Sequence, residues 1–239
     1  MMSVDRLTVK IFADGADRVS MLELSTRPYI KGLTTNPTLM RKAGIANYRD
    51  FAKDILSEIT TKPVCFEVLA DDFAGMERQA LEIASWAENV YVKVPITNTR
   101  GESCRAVVGR LAARHVKLNV TAIMTLGQVQ EVLSALSSTT AAYVSIFAGR
   151  IADTGVDPVP VMTKAVSMLS PLPKAELLWA SPREVLNIAQ AEDCGCHIIT
   201  ATPDIIAKLA LRGKDLHQYS LETVKMFYDD ASAAGFKLV

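Results

Sequence analysis

The feature that most limits what this chain can fold into is an alternation. Short runs rich in β-branched and aromatic residues recur eight times, at residues 7–13, 29–34, 64–69, 89–94, 116–120, 142–147, 175–180 and 196–200. Longer amphipathic stretches separate them. Residues 48–59 put Phe51, Ile55, Leu56 and Ile59 on one helical face, and residues 72–87 do so with Phe73, Met76, Ala80, Ile83 and Ala84. Strand alternating with helix, without a proline- or serine-rich linker, predicts one parallel α/β domain. An open doubly wound sheet would usually carry an early glycine-rich phosphate turn, and the chain has no G-x-G-x-x-G or Walker lysine motif. The expected architecture is therefore a closed (β/α)8 TIM barrel over residues 1–212, with a helical extension over 213–239. Within that extension, residues 220–234 read as an additional helix carrying Leu221, Val224, Met226 and Phe227. Two helix starts are marked: Thr202-Pro203-Asp204 as N-cap, N1 proline and first-turn acid, and Ser181-Pro182-Arg183-Glu184 as a capping box.

Composition removes several classes of function. With 26 Lys+Arg against 26 Asp+Glu and 49% hydrophobic residues, the chain is neither disordered nor drawn electrostatically to nucleic acid or an anionic membrane. Met1 to Lys10 contains Asp5, Arg6 and Lys10, which leaves no room for a signal-peptide core there. No run approaches the roughly 18 apolar residues of a membrane span. Cys194 and Cys196 flank Gly195 and precede His197, but the chain has only four cysteines and no second pair at ligand spacing. The expectation is reduced thiols in a cytoplasmic protein that uses no metal and no cofactor.

Parallel strands are covered on both faces and should read as nearly continuous apolar runs, so polar residues inside them are informative. Lys93 interrupts Val-Tyr-Val-Lys-Val-Pro. Because Val90, Val92 and Val94 share the parity that suits the helix layer, Lys93 is turned toward the barrel interior. Glu67 sits likewise in Val-Cys-Phe-Glu-Val-Leu. Asn119 and Thr121 share one parity on the fifth run, as do Ser145 and Phe147 on the sixth. Asp14 closes the first, and Thr34-Thr35-Asn36-Pro37 closes the second. Singly, most such residues satisfy loops or caps. Together they gather at the C-terminal ends of the strands, where barrel enzymes build their sites.

The lysine sets the chemistry. Burying an unpaired ammonium is expensive, so Lys93 is expected to pair with Glu67 or Asp14 and to serve a reaction. A desolvated amine can attack a carbonyl, and the resulting imine is an electron sink that makes the neighbouring carbon–carbon bond breakable. Carboxylates then move protons. Arg150 follows the sixth strand, and Arg183 is expected in the first turn of the helix after the seventh. There guanidiniums and the unsatisfied amides of the helix start would form an anion site.

Taken in order, Phe-Ala-Asp14, Gly32-Leu-Thr-Thr-Asn36-Pro37, Phe66-Glu67-Val68, Val92-Lys93-Val94-Pro95, Leu118-Asn119-Val-Thr121, Ser145-Ile-Phe147-Ala-Gly-Arg150 and Ala180-Ser181-Pro182-Arg183 resemble the small single-barrel transaldolases. The resemblance runs from Asp14 to about residue 210. It implies a class I aldolase-type barrel in which Lys93 forms a Schiff base with C2 of a ketose phosphate, fructose 6-phosphate or sedoheptulose 7-phosphate. It implies that Asp14 takes and returns the C4 hydroxyl proton. Glu67 would manage protons through a water held with Thr121. Thr35, Asn36, Asn119, Ser145 and Phe147 would surround the dihydroxyacetone unit, and Arg150, Ser181 and Arg183 would bind the terminal phosphate. The extra helix resembles the family segment that packs on a neighbouring subunit, so a homo-oligomer is expected.

A sister branch, the fructose-6-phosphate aldolases, has Gln, Leu, Ala and Tyr where this chain has Glu67, Asn119, Ser145 and Phe147, which favours transfer over release of free dihydroxyacetone. The chain departs from the family pattern at Thr38 (serine), Ile146 (proline) and Pro182 (phenylalanine), with Trp179 three residues before the last. Pro182 and Trp179 border the expected anion site, and a transaldolase acting on 6-deoxy-6-sulfofructose is the reading they keep open.

Overall fold

Eight parallel strands close into a barrel in chain order, with the last hydrogen-bonded back to the first. They are β1 (Lys10–Asp14), β2 (Ile30–Thr34), β3 (Val64–Glu67), β4 (Val90–Pro95), β5 (Leu118–Ile123), β6 (Ala142–Ile146), β7 (Ala175–Trp179) and β8 (Ile198–Ala201). The computed structural model describes residues 7–238. The reading of Met1 to Arg6 lies outside the described residues, as does Val239 at the end of the expected extension.

Parallel neighbours need crossover connections, and helices supply them. In chain order these are α1 (Arg18–Ser25), α2 (Pro37–Lys42), α3 (Tyr48–Glu58), α4 (Phe73–Ala84), α5 (Arg105–Ala113), α6 (Leu126–Leu133), α7 (Ala148–Asp153), α8 (Val159–Leu169), α9 (Leu186–Asp193), α10 (Pro203–Ala207) and α11 (Leu216–Ala233). Side-chain caps start many of them: Asp17, Asn36, Asn47, Asp72 and Thr125 each accept a backbone N–H from the first turn. Among the described residues no helix is long and apolar enough to cross a membrane.

The period of two divides each strand between two cores. Outward residues such as Val90, Val92, Val94, Val144 and Leu177 pack against Ile55, Met76, Ile83 and Val129 of the helix layer. Each such side chain contributes about 1.5–3 kcal/mol when fully buried. Inward residues Phe12, Cys65, Tyr143, Leu178 and Ile198 form a smaller core inside the barrel. Tyr143 stacks on Tyr91 with ring centroids 4.1 Å apart and meets Phe12 edge-on at 5.7 Å. Gly32 belongs to this packing, since a Cβ there would stand 2.5 Å from Phe12 Cζ.

The expected strands all form, with shifted ends. β1 begins at Lys10 rather than residue 7, because the amides of Thr8 and Val9 bond instead to the Glu192 carboxylate at 3.0 and 2.8 Å. β5 continues to Ile123 through a bulge at Ala122, whose φ is 62°. The helices expected at 48–59 and 72–87 are α3 and α4, and Asp72 is the N-cap of α4 rather than its first residue. Thr202 is an N-cap by backbone shape, although its hydroxyl makes no capping bond.

The capping box at Ser181 is corrected. Ser181 has φ 61° and Arg183 lies in a loop, three residues before α9 begins at Leu186. The Ser181 carbonyl crowds Gly149, where a Cβ would come within 1.6 Å of it, so the chain is pinned before it can coil. Asn187 caps from inside the helix instead, with Oδ1 accepting from the amides of Arg183 at 2.7 Å and Glu184 at 3.2 Å. The extra helix exists as α11, starts a turn earlier than expected under an Asp215 cap, and buries none of its residues.

Candidate active site

Lys93 points inward as its parity requires and is 6% exposed. Its Nζ donates to the Thr35 carbonyl at 2.7 Å and stands 3.0 Å from Glu67 Oε2. The pairing follows from register, because Glu67 on β3 lies directly beside Lys93 on β4. An ammonium with both a carbonyl and a carboxylate partner meets the cost of its burial.

Asp14 ends β1 on the far side of the same space. The Thr34 hydroxyl donates to its Oδ1 at 2.6 Å, and Asn36 Nδ2 reaches its Oδ2 at 3.5 Å. Having given its one proton, the Thr34 hydroxyl accepts from Thr200, whose oxygen is 2.6 Å away. Burial lifts the Asp14 carboxyl above its usual range, against the opposing pull of Lys93 and the Thr34 bond, and the Glu67 charge adds to the rise. A carboxylate held in this way is a stronger base than a free one.

These groups share a cleft of about 580 Å³ at the C-terminal ends of the strands. Asp14, Asn36, Glu67, Lys93, Asn119, Thr121, Ser145, Phe147, Arg150, Ser181 and Arg183 all line it. Thr35 does not. It is fully buried, with its hydroxyl on the Cys65 carbonyl, and it reaches the site only through the carbonyl that holds Lys93. Ser145 donates to Asn119 Oδ1 at 2.6 Å, which leaves the Asn119 amide N–H groups as donors. Beneath Lys93, burial pushes the Cys65 thiol up to about 12, so it stays protonated and inert.

At the rim, the Arg183 Nε donates to Asp153 Oδ1 at 2.8 Å, and its Nη1 reaches Ser181 Oγ at 3.0 Å. The hydrogen-bonded guanidinium holds the Asp153 carboxyl below its usual range. The Arg150 guanidinium lies 5.4 Å from the Phe147 ring centre. Because Arg183 precedes α9, the cationic rim is made by side chains rather than by a helix terminus. Ala122 and Ser181, two non-glycine residues in left-handed backbone, both border the cleft, and such strain collects at working sites.

Thr200 is a member of the site that sequence reasoning did not single out, and Thr34 was read only as a polar strand end, with no role. The signal was present for Thr200: it is a polar residue at inward parity two positions after Ile198, as Lys93 is two after Tyr91. Among the described residues, no three His, Cys, Asp or Glu side chains converge as metal ligands do.

Comparison with known proteins bears on this arrangement. The family model described as transaldolase/fructose-6-phosphate aldolase matches residues 11–238. The chain is 31% identical over 233 residues to a protein of Thermoanaerobacter sp. (strain X514) named "Probable transaldolase", covering 96% of this chain and 100% of that one. A protein of the same name from Hyphomonas neptunium is 32% identical over 234 residues, again covering 96% and 100%. The crystal structure of dihydrodipicolinate synthase from Rhodopseudomonas palustris superposes with a TM-score of 0.53 at 13% identity, covering 84% of this chain and 71% of that one. That likeness concerns the barrel alone.

Proposed function

Since this chain belongs to the transaldolase/fructose-6-phosphate aldolase family, we propose that it transfers a dihydroxyacetone unit from a ketose phosphate to an aldose phosphate through a Schiff base on Lys93. One observation carries the reading: a buried amine 3.0 Å from a carboxylate, on the wall of a cleft that also holds Asp14.

In this reading Lys93 passes a proton to Glu67 and adds its freed lone pair to the C2 carbonyl of fructose 6-phosphate or sedoheptulose 7-phosphate. Loss of water from that adduct gives an iminium ion, with Glu67 and Thr121 placed to manage the protons. Asp14 accepts the C4 hydroxyl proton as the C3–C4 bond breaks, and the aldehyde departs. The bonding electrons rest on the enamine until an acceptor aldehyde arrives and Asp14 returns the proton. Water then hydrolyses the iminium and frees Lys93. Asn36, Asn119 and Ser145 hold the hydroxyls of the three-carbon unit against Phe147, and Arg150, Ser181 and Arg183 bind the terminal phosphate. No cofactor takes part. The four free cysteines suit a reducing cytoplasm, and three of them are buried. The exposed apolar residues of α11, including Leu216, Val224, Phe227 and Tyr228, suit burial on a neighbouring subunit of a homo-oligomer.

Borohydride reduction in the presence of fructose 6-phosphate is expected to add a three-carbon unit to Lys93, read by peptide mass spectrometry. An unmodified protein, or an adduct on another lysine, refutes the proposal. Free dihydroxyacetone released without an acceptor at the rate of transfer would make the chain an aldolase of the sister branch. Faster turnover of 6-deoxy-6-sulfofructose would move the terminal anion from phosphate to sulfonate.

A further inference from the structure

The bond pattern between β2 and β3 breaks at an informative place. Leu33 N donates to the Pro63 carbonyl at 2.8 Å, and Thr35 N to the Cys65 carbonyl at 3.2 Å. Parallel ladders advance two residues at a time, so the next donor in this series is residue 37 and the next acceptor is the Glu67 carbonyl. Residue 37 is proline, which opens α2 and has no N–H. On its other side β3 stays paired, with Val68 N bonded to the Lys93 carbonyl at 3.0 Å. The Glu67 carbonyl is therefore left without a donor from β2, and the Glu67 N–H does not bond the Thr35 carbonyl, which accepts from Lys93 Nζ instead.

Tyr48 fills this gap. Its hydroxyl donates to the Glu67 carbonyl at 2.8 Å and accepts from the Glu67 N–H at 2.7 Å. The ring is held edge-on by Phe66 at 6.2 Å and Trp86 at 5.8 Å, and Asn47 caps the helix that Tyr48 begins. Burial keeps the phenol far above its usual pKa, so it stays protonated and able to donate. The position is thus fixed from the helix, the ring cluster and the strand together.

We propose that Tyr48 is a positioning residue for Glu67: its hydroxyl replaces the ladder bond that Pro37 cannot make, takes up the Glu67 N–H as well, and so fixes the main chain that aims the Glu67 carboxylate at Lys93. The inference rests on the roles given above to Lys93 and Glu67. It adds a residue outside the cleft to the machinery, at a place where β2 does not supply the same hold.

The test is a cycle of Tyr48→Phe, Glu67→Gln and the double variant, assayed with fructose 6-phosphate and an aldose phosphate acceptor. Tyr48→Phe keeps the ring and its packing, and melting curves verify that each variant is folded. Tyr48→Phe is expected to lower kcat between about tenfold and a hundredfold, with KM for the donor within about twofold. In the Glu67→Gln background the same change is expected to cost less than about twofold, because a residue acting through Glu67 has nothing left to position. A kcat for Tyr48→Phe within twofold of wild type, or an equal loss in both backgrounds, overturns the proposal. Borohydride trapping of the wild type separates the two failures. An adduct on Lys93 together with a Tyr48→Phe variant of wild-type kcat sinks only this inference, whereas no adduct sinks the function and this inference with it.

Discussion

The barrel interior has two halves made from the same strands at the same parity, yet they differ in chemistry. In the lower half stand Phe12, Cys65, Tyr91, Tyr143, Leu178 and Ile198. Two residues further along those strands stand Asp14, Glu67, Lys93, Ser145, Ala180 and Thr200, which border the cleft. A step of two residues is only about 6.6 Å, and over that distance an aromatic plug becomes a polar site. The plug gives the site an apolar floor. The upper ring accepts the cost of buried charge because each charged group has a partner: Glu67 for Lys93, and Thr34 for Asp14. Stability is invested in one half and reactivity in the other.

This division can be broken experimentally. The largest effect is expected in the upper half, where Lys93→Met should abolish borohydride trapping and lower turnover by at least about 10⁴-fold while the barrel stays folded. Next comes the plug. Phe12→Ala should destabilise the fold by about 3–5 kcal/mol, which lowers Tm by about 2–4 °C for each kcal/mol in a chain of this size. The folded fraction should still form the Lys93 adduct, and loss of trapping in a folded Phe12→Ala protein would show that the halves are not separable.

Asp14→Asn sharpens the comparison through pH. Burial raises the Asp14 carboxyl in the native state, so the native protein binds that proton more tightly than the unfolded chain does. Wild-type stability is then lost as pH rises from the ordinary carboxylate value through the raised one. The asparagine variant lacks this loss. Denaturant midpoints should favour Asp14→Asn over wild type at pH 7 and bring the two together near pH 3, while its turnover falls by about 10²–10⁴-fold. The smallest effect belongs to a second strand lysine. Lys10, at the bottom of β1, pairs with Glu176 at 2.7 Å with its side chain 48% exposed. Lys10→Ala should change stability by less than about 1 kcal/mol, less still in high salt, and leave activity unchanged.

The contrast between Lys10 and Lys93 also marks how far the sequence can be read. Parity alone turned Lys93 inward, since Val90, Val92 and Val94 had to face the helices. The same reasoning placed Glu67, Asn119 and Ser145 correctly around the cleft. It misplaced Arg183, because the left-handed turn at Ser181 and its crowding against Gly149 arise between segments far apart in the chain. It passed over Thr200 and gave Thr34 no role, because their importance lies in a bond between the second and eighth strands. Tyr48 was visible only as the first residue of an amphipathic helix, because the gap it fills is defined by a neighbouring strand and a proline eleven residues before it.

The eight-fold alternation, the inward lysine and the resemblance to the transaldolases could all be read from the linear string. These follow from periodicity and residue type, which are local and survive in a linear string. Folding in three dimensions was needed to set which carboxylate meets the amine, that Thr35 faces Lys93 with its carbonyl rather than its side chain, and that the cationic rim is tied to Asp153 instead of a helix end. Register, crossing segments and burial set those outcomes. They depend on distances between residues that the chain separates by tens of positions, and no local pattern encodes them.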